Sequence, residues 1–352
     1  MAITAGYDVG GAHLKVALAE GGRVIAVRQI ACPLWQGLDK LDMAFAAAAP
    51  LTARADIHAA TMTGELCELF PDRRTGVAAI LDRLTDLLGT SLRIWTGPRG
   101  FGSIEHAHAD PMHVASTNFL ASAALIARHM PEALLVDMGS TTTDIVAVLG
   151  GSVCARGITD GERLATGELI YTGLTRTDVS AVARTATLRR RAQRLAAGGF
   201  ANMADVRRIL GELPEGVDQH GTADGRGKSV GESVARLARC FGRDAIDADL
   251  EAWRRSAREI AEQQMRDIRA AIEEVLAAVP LSSHAPVIAA GIGAPEIATL
   301  ASELGRACHP FGALIEANDE CREWVTRCAP AVAVALLAGH GLGGDALISV
   351  NA

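Results

Sequence analysis

The feature that most narrows the fold is a repeat. Asp8-Val9-Gly10 recurs as Asp137-Met138-Gly139, and Lys15 and Asp144 stand at matching places after the two copies. Each copy continues into an apolar run, Val16-Ala17-Leu18 and Ile145-Val146-Ala147. Apolar runs on either side of a glycine-bearing turn read as a β-hairpin. A chain carrying the same hairpin twice reads as a duplicated unit. The expectation is one hairpin per domain, with the tips facing across a cleft.

The rest of the chain fits that frame. A length of 352 residues suits two compact domains. Strands are expected over residues 5–9, 14–19, 23–30, 56–63 and 92–96, and a helix over 76–88. The pattern restarts with a helix over 118–128, a strand-turn-strand over 133–148, a long amphipathic helix over 251–279 and a strand over 286–290. The first domain is therefore placed at 1–115 and the second at 116–327. A Gly-, Arg- and Asp-rich stretch, about 159–249, reads as an insertion in the second. An Ala-rich C-terminal helix, 328–352, is expected to pack back on the first domain. Strands followed by helices make the class α/β.

Composition excludes several functions. The formal net charge of -7 disfavours a nucleic-acid partner. No window approaches the roughly 18 apolar residues of a membrane span, and the N-terminus lacks the layout of a signal peptide. Seven scattered cysteines without a CxxC pair suit a reducing compartment. A cytoplasmic enzyme acting on small molecules, without membrane partners, is expected.

The hairpins themselves suggest chemistry. Glycines at the turns, Gly10, Gly11 and Gly139, let backbone N–H groups approach a ligand oxygen. With the hydroxyls of Ser140, Thr141, Thr142 and Thr143 they form a nest for an anion. Asp8, Asp137 and Asp144 cannot face that anion bare. Mg²⁺ held by Asp8 and Asp137 would resolve the repulsion, and Lys15 adds a cation on the same loop. One such turn is common; two in register, with Gly291-Ile292-Gly293-Ala294-Pro295-Glu296 after a strand, point to phosphoryl or diphosphoryl binding.

Resemblance sharpens this reading. DVGGAHLKVAL, LLVDMGSTTTDIVAV and VIAAGIGAPEI resemble, in order, the two phosphate motifs and the nucleoside-side motif of the actin/Hsp70/sugar-kinase superfamily. VDMGSTTTDI is similar to its hydantoinase/oxoprolinase branch. TMTGELCELFPDRRTGV, GELIYTGLTRTDV and HGTADGRGKSVGESVARLARCFGRD resemble a short subfamily tied to tetrahydromethanopterin-linked one-carbon metabolism. The resemblance implies duplicated ribonuclease-H-like domains around a central cleft. It implies phosphate contacts from Asp8, Gly10, Gly11, His13, Gly139, Ser140, Thr141, Thr142, Gly291 and Gly293. His13 replaces the Thr or Ser usual in the superfamily, and Asp178 stands where relatives are expected to carry Pro. Archaeal members act in methanofuran biosynthesis, coupling an aminomethylfuran-methyl diphosphate to a phenol oxygen with release of diphosphate.

Such a reaction needs a base, because deprotonating a phenol of pKa near 10 at pH 7 costs about 4 kcal/mol. Glu65 is the first candidate and Asp144 the second, with Lys15 as a supporting cation. Arg73, Arg74 and Arg176 are candidates for binding the acceptor, a tyramine- or tyrosine-type phenol. Two alternatives stay open: an ATP-dependent kinase or hydantoinase-like enzyme, and a non-enzymatic nucleotide switch.

Other motifs carry less. If extended, residues 105–110 put His106, His108 and Asp110 on one side, near His113, as a metal site would; a solvated His-rich loop is the preferred reading. Cys308-His309 with Cys321 and Cys328 has no metal-ligand spacing. Gly221 to Ser229 fails the P-loop spacing, and the basic run Arg184 to Arg194 reads as a solvated face.

Overall fold

A computed structural model describes residues 1–339 and the backbone of Ile348–Val350. The first half holds strands β1 (Ile3–Val9), β2 (His13–Glu20), β3 (Arg23–Ala31), β4 (Ile57–Met62), β5 (Arg93–Trp95) and β6 (Phe101–Gly102). Helices α1 (Asp39–Thr52), α2 (Arg73–Leu88) and α3 (Ile104–Ala109) accompany them. The sheet order is β3-β2-β1-β4-β5-β6. β1 and β2 are antiparallel, whereas β1, β4 and β5 run parallel.

The second half repeats this plan. It begins with α4 (Asn118–His129), then β7 (Glu132–Met138), β8 (Thr143–Leu149), β9 (Ser152–Ala155), α5 (Asp160–Ala165) and β10 (Leu169–Ile170). After α6 (Val179–Val182), the hairpin β11 (Thr185–Leu188) and β12 (Arg191–Arg194), α7 (Met203–Leu210) and α8 (Val230–Cys240), the chain enters the long α9 (Leu250–Ala278). It closes with β13 (Val287–Ala290), α10 (Ala294–Glu303), β14 (Cys308–Pro310), α11 (Arg322–Arg327), α12 (Ala329–Gly339) and β15 (Ile348–Val350). The order β14-β13-β7-β8-β9-β15 places an antiparallel hairpin beside parallel β7, β13 and β14, as in the first sheet. The two halves thus share one duplicated α/β plan.

Both sheets are covered on both faces, so their central strands read as continuous apolar runs instead of alternating ones. α1 and α2 cover one face of the first sheet through Leu41, Phe45, Ile80 and Leu84. α9 and α10 cover the outer face of the second through Ile268, Ile272, Val275 and Ile297. Between the sheets lie α4 and α12, packed against each other. α12 is rich in Ala because β1 comes very close: a Cβ on Gly6 would lie 2.2 Å from the Ala331 carbonyl oxygen.

Three expectations are corrected. Residues 104–109 are helical, with Ser103 as the N-cap, so the alternation that would align His106, His108 and Asp110 does not apply. His108 instead faces Asp82 and His113 faces Asp110. Among the described residues no group of three or more His, Cys, Asp or Glu side chains is placed to hold a metal. The C-terminal helix is described over Ala329–Gly339, and Ile348–Val350 pair in parallel with β9 as a strand, not a helix; 340–347 and 351–352 lie outside the described residues. Within the expected insertion, β10 pairs with β8 and belongs to the main sheet. The separate core begins near Val179 and gathers Val206, Leu237 and the N-terminal half of α9. No helix among the described residues is long and apolar enough to cross a membrane.

Candidate active site

The repeat becomes geometry at the hairpin tips. Lys15 pairs with Asp8 across the first hairpin, and Asp144 pairs with Asp137 across the second. The tips border one cavity of about 300 Å³, lined by both turns. Gly10 N–H donates to the His13 carbonyl and Gly139 N–H to the Thr142 carbonyl, which closes each turn. Among the described residues the N–H groups of Gly11, Ala12, Ser140 and Thr141 have no hydrogen-bond partner. These are the free donors that an anion nest requires. Gly173 packs behind the second turn, where a Cβ would sit 2.5 Å from the Thr141 nitrogen.

The carboxylates lie in the cavity wall. Lys15 Nζ is 3.3 Å from Asp8 Oδ2, and Asn118 Nδ2 donates to Asp8 Oδ1 at 3.4 Å. Burial opposes the charge of Lys15, but Asp8 and Asp137 outweigh it and raise its pKa. Burial pushes Asp137 up to about 7 against the pull of Lys15, and Asp144 and Asp8 add to the rise. Asp144 is also raised by burial, opposed by Arg163. Arg163 is 2% exposed, donates to Asp144 Oδ1 at 2.7 Å, and lies over the Phe119 ring.

His13, Trp35 and Arg176 line the cavity, and His220 packs against His13 and Trp35 behind them. The His13 and His220 rings are 4.6 Å apart, and the Arg176 guanidinium covers the Trp35 ring. Burial, followed by neighbouring cations, lowers the pKa of both histidines, so they are neutral at pH 7. Both Nε2 atoms are buried and unpartnered. Arg176 donates to the Thr141 hydroxyl at 3.4 Å, which puts this cation beside the nest. Gln219 Nε2 donates to the Gln29 carbonyl, fastening the loop that carries His220 to the first sheet.

Ser116, Asp160 and Tyr171 also line the cavity. The Tyr171 hydroxyl donates to Asp160 Oδ2 at 3.0 Å, and Arg73 reaches the same oxygen at 3.7 Å. Glu65, 1% exposed, lies behind this wall and does not line the cavity. Its Oε1 accepts from the Ser116 hydroxyl at 2.6 Å, while Oε2 is buried without a partner. Burial raises its pKa, and the bond from Ser116 opposes the rise.

Of the residues expected from sequence, Asp8, Gly10, Gly11, His13, Lys15, Asp137, Gly139, Ser140, Thr141, Thr142, Asp144 and Arg176 line this cavity. Gly291 and Gly293 do not. Gly291 N–H donates to the Thr326 carbonyl and Gly293 N–H to the Met138 carbonyl, and both pack against the end of β7. Both N–H donors are therefore engaged within the fold. Arg74 is exposed on α2, away from the cavity, and Asp144 is engaged by Arg163 rather than free to act as a base. Ser116, Asn118, Arg163, Trp35 and His220 were not singled out from sequence. Arg163 and His220 fall in the stretch read as an insertion, and lone residues in such stretches carry no pattern.

Residues 56–310 match the hydantoinase/oxoprolinase family model. The chain belongs to the hydantoinase/oxoprolinase family. This family member is 31% identical over 247 residues to the (4-{4-[2-(gamma-L-glutamylamino)ethyl]phenoxymethyl}furan-2-yl)methanamine synthase of Methanocaldococcus jannaschii, covering 69% of this chain and 73% of that protein. It is 33% identical over 118 residues to the synthase of the same name from Methanococcus vannielii, covering 33% of this chain and 53% of that one. Among solved structures, nucleotide-free acetone carboxylase superposes with a TM-score of 0.57 at 9% identity, over 94% of this chain and 70% of that chain. At that identity the likeness is one of fold.

Proposed function

We propose that this hydantoinase/oxoprolinase family member is a transferase of methanofuran-type cofactor biosynthesis. It joins an aminomethylfuran-methyl diphosphate to the phenol oxygen of a tyramine- or tyrosine-type acceptor and releases diphosphate. The observation that carries this reading is the match to the Methanocaldococcus jannaschii synthase across 73% of its length. That protein's name describes a product with a phenol oxygen joined to a furan methylene. Such an ether forms when the methylene bears a good leaving group, and a furan ring helps by delocalising positive charge as that group departs.

The cavity suits the demand. Diphosphate leaves with negative charge, and free N–H donors with Arg176 beside them offer oriented positive potential in a partly enclosed space. Asp8, Asp137 and Lys15 together carry an excess negative charge when ionised, since Arg163 already balances Asp144. Burial is the main cause of the high pKa of Asp137, and the neighbouring carboxylates add to it. A divalent cation such as Mg²⁺ fits it: Asp8 and Asp137 would hold the ion, with phosphate oxygens and water completing the shell, and it would supply charge neutralisation to the leaving group. Asn118 and Lys15 hold Asp8 in place.

The test is diphosphate release by purified protein with Mg²⁺, the furan diphosphate and a panel of phenols (tyramine, γ-glutamyltyramine, tyrosine), without ATP. Phenol-dependent release with an ether product of matching mass is expected and would identify the acceptor. Silence in that assay, together with phosphate formation from ATP, would favour a kinase-type or hydantoinase-like activity on the same cavity.

A further inference from the structure

We propose that Ser116 and Glu65 form a proton relay that deprotonates the acceptor phenol, a catalytic pair that rests on the coupling reaction above. Glu65 is shielded from the cavity, whereas Ser116 lines it and donates to Glu65 at 2.6 Å. The serine hydroxyl thus links the cavity to this carboxylate.

Three observations separate this pair from a buried acid that merely found a partner. First, Ser116 adopts φ 52°, a left-handed conformation that a non-glycine residue adopts at a cost. The other non-glycine residues of positive φ, Arg189 and Arg190, form the two-residue turn between β11 and β12, where such angles are ordinary. Second, the strained backbone is pinned from the next residue. Thr117 Oγ1 donates to the Val114 carbonyl and Trp95 Nε1 donates to the Thr117 carbonyl, each at 3.1 Å. The fold thus fixes the hydroxyl between cavity and carboxylate. Third, Glu65 keeps an unpartnered buried oxygen, and burial favours its protonated form. An acid that gains a proton easily and releases it slowly to solvent is suited to store one during a turnover. The charges that also act on it, Asp160 and Arg73, oppose each other.

The step balances as follows. The phenol gives its proton to Ser116 Oγ while the hydroxyl proton of Ser116 moves to Glu65 Oε1. The freed electron pair on the phenol oxygen forms the new bond to the furan methylene. The bond from that methylene to diphosphate breaks, and its electrons leave with the diphosphate. Glu65 returns the proton to solvent through Ser116 as the product departs.

Ser116→Gly is the decisive variant, because glycine accepts the backbone angle without strain and removes the CH₂OH side chain that carries the relay hydroxyl. Glu65→Gln keeps a carbonyl oxygen to accept from Ser116 but cannot take the proton. Coupling rates are measured for wild type and both variants with a series of ring-fluorinated phenols whose pKa values fall from about 10 to below 7. With tyramine or tyrosine both variants are expected to lose about 10²–10⁴-fold in kcat, the usual worth of general base catalysis. With the most acidic phenols, already ionised at the assay pH, both should return to within about tenfold of wild type. Thermal melting checks that both variants remain folded. Full activity of either variant on ordinary phenols would overturn the relay, and so would an equal loss across the whole phenol series. A wild-type enzyme that releases no diphosphate with any phenol would overturn the coupling reaction and the relay with it.

Discussion

Asp137→Asn is predicted to stabilise the protein at neutral pH while disabling its site, and the size of the gain follows from its surroundings. Burial lifts the Asp137 pKa from 3.8 to about 7. Between those values the folded chain binds a proton that the unfolded chain has released. Stability therefore falls as pH rises through the window and levels off above about 7. At about 1.4 kcal/mol for each tenfold change, the burden is on the order of 1–2 kcal/mol at pH 5 and about 4 kcal/mol at pH 8. Asparagine has the same shape and no charge, so it escapes this burden. Urea unfolding of both proteins at pH 5 and pH 8 isolates the effect, because groups common to both cancel in the difference. The variant's advantage should grow by about 2–3 kcal/mol over that interval. Added Mg²⁺ at pH 8 should stabilise the wild type and leave the variant nearly unchanged. An advantage that stays constant with pH, or a variant that is weaker at pH 8, would refute the assignment of Asp137 as an uncompensated buried charge.

Arg163→Met should cost about 3–5 kcal/mol in urea unfolding, because it leaves Asp144 buried without its partner; Asp144→Asn in the same chain should recover part of that loss. Gly173→Ala forces a Cβ to within 2.5 Å of the Ser140 and Thr141 backbone, so a loss of about 1–3 kcal/mol is expected. Its diphosphate affinity, read by calorimetry, should fall as well, and a variant with wild-type affinity would place the anion elsewhere.

Much of this could be read from the chain because the fold repeats itself. The matched positions of Lys15 and Asp144 anticipated two hairpins in the same register, and the structure pairs them with Asp8 and Asp137. Long periodic elements such as α9 were equally plain. The cavity's other contributors were not. Arg163 looks like a surface residue in sequence, yet it is buried because Asp144 and the Phe119 ring satisfy it. Ser116 gains meaning only from a contact with Glu65 51 residues away and from a backbone angle that no composition encodes. His220 reaches the first half through tertiary contact alone. Gly291 and Gly293 form a motif that is local and easily read, but the sequence does not show that their N–H groups are engaged by neighbouring carbonyls. Residues 104–109 show that spacing without a known backbone state cannot align ligands.

The position of α12 also sets an order of events during synthesis. This helix packs on β1, β2 and β4, yet it lies at the far end of the chain. The first sheet leaves the ribosome with one face bare and stays so until residues 329–339 emerge. At about 5–20 residues per second that delay is on the order of 10–50 s. During this time Ala17, Val24 and Ala59 are exposed to other nascent chains. The N-terminal half thus keeps an apolar face open until α12 is made, and a ribosome stalled before Ala329 would carry a first sheet without its cover.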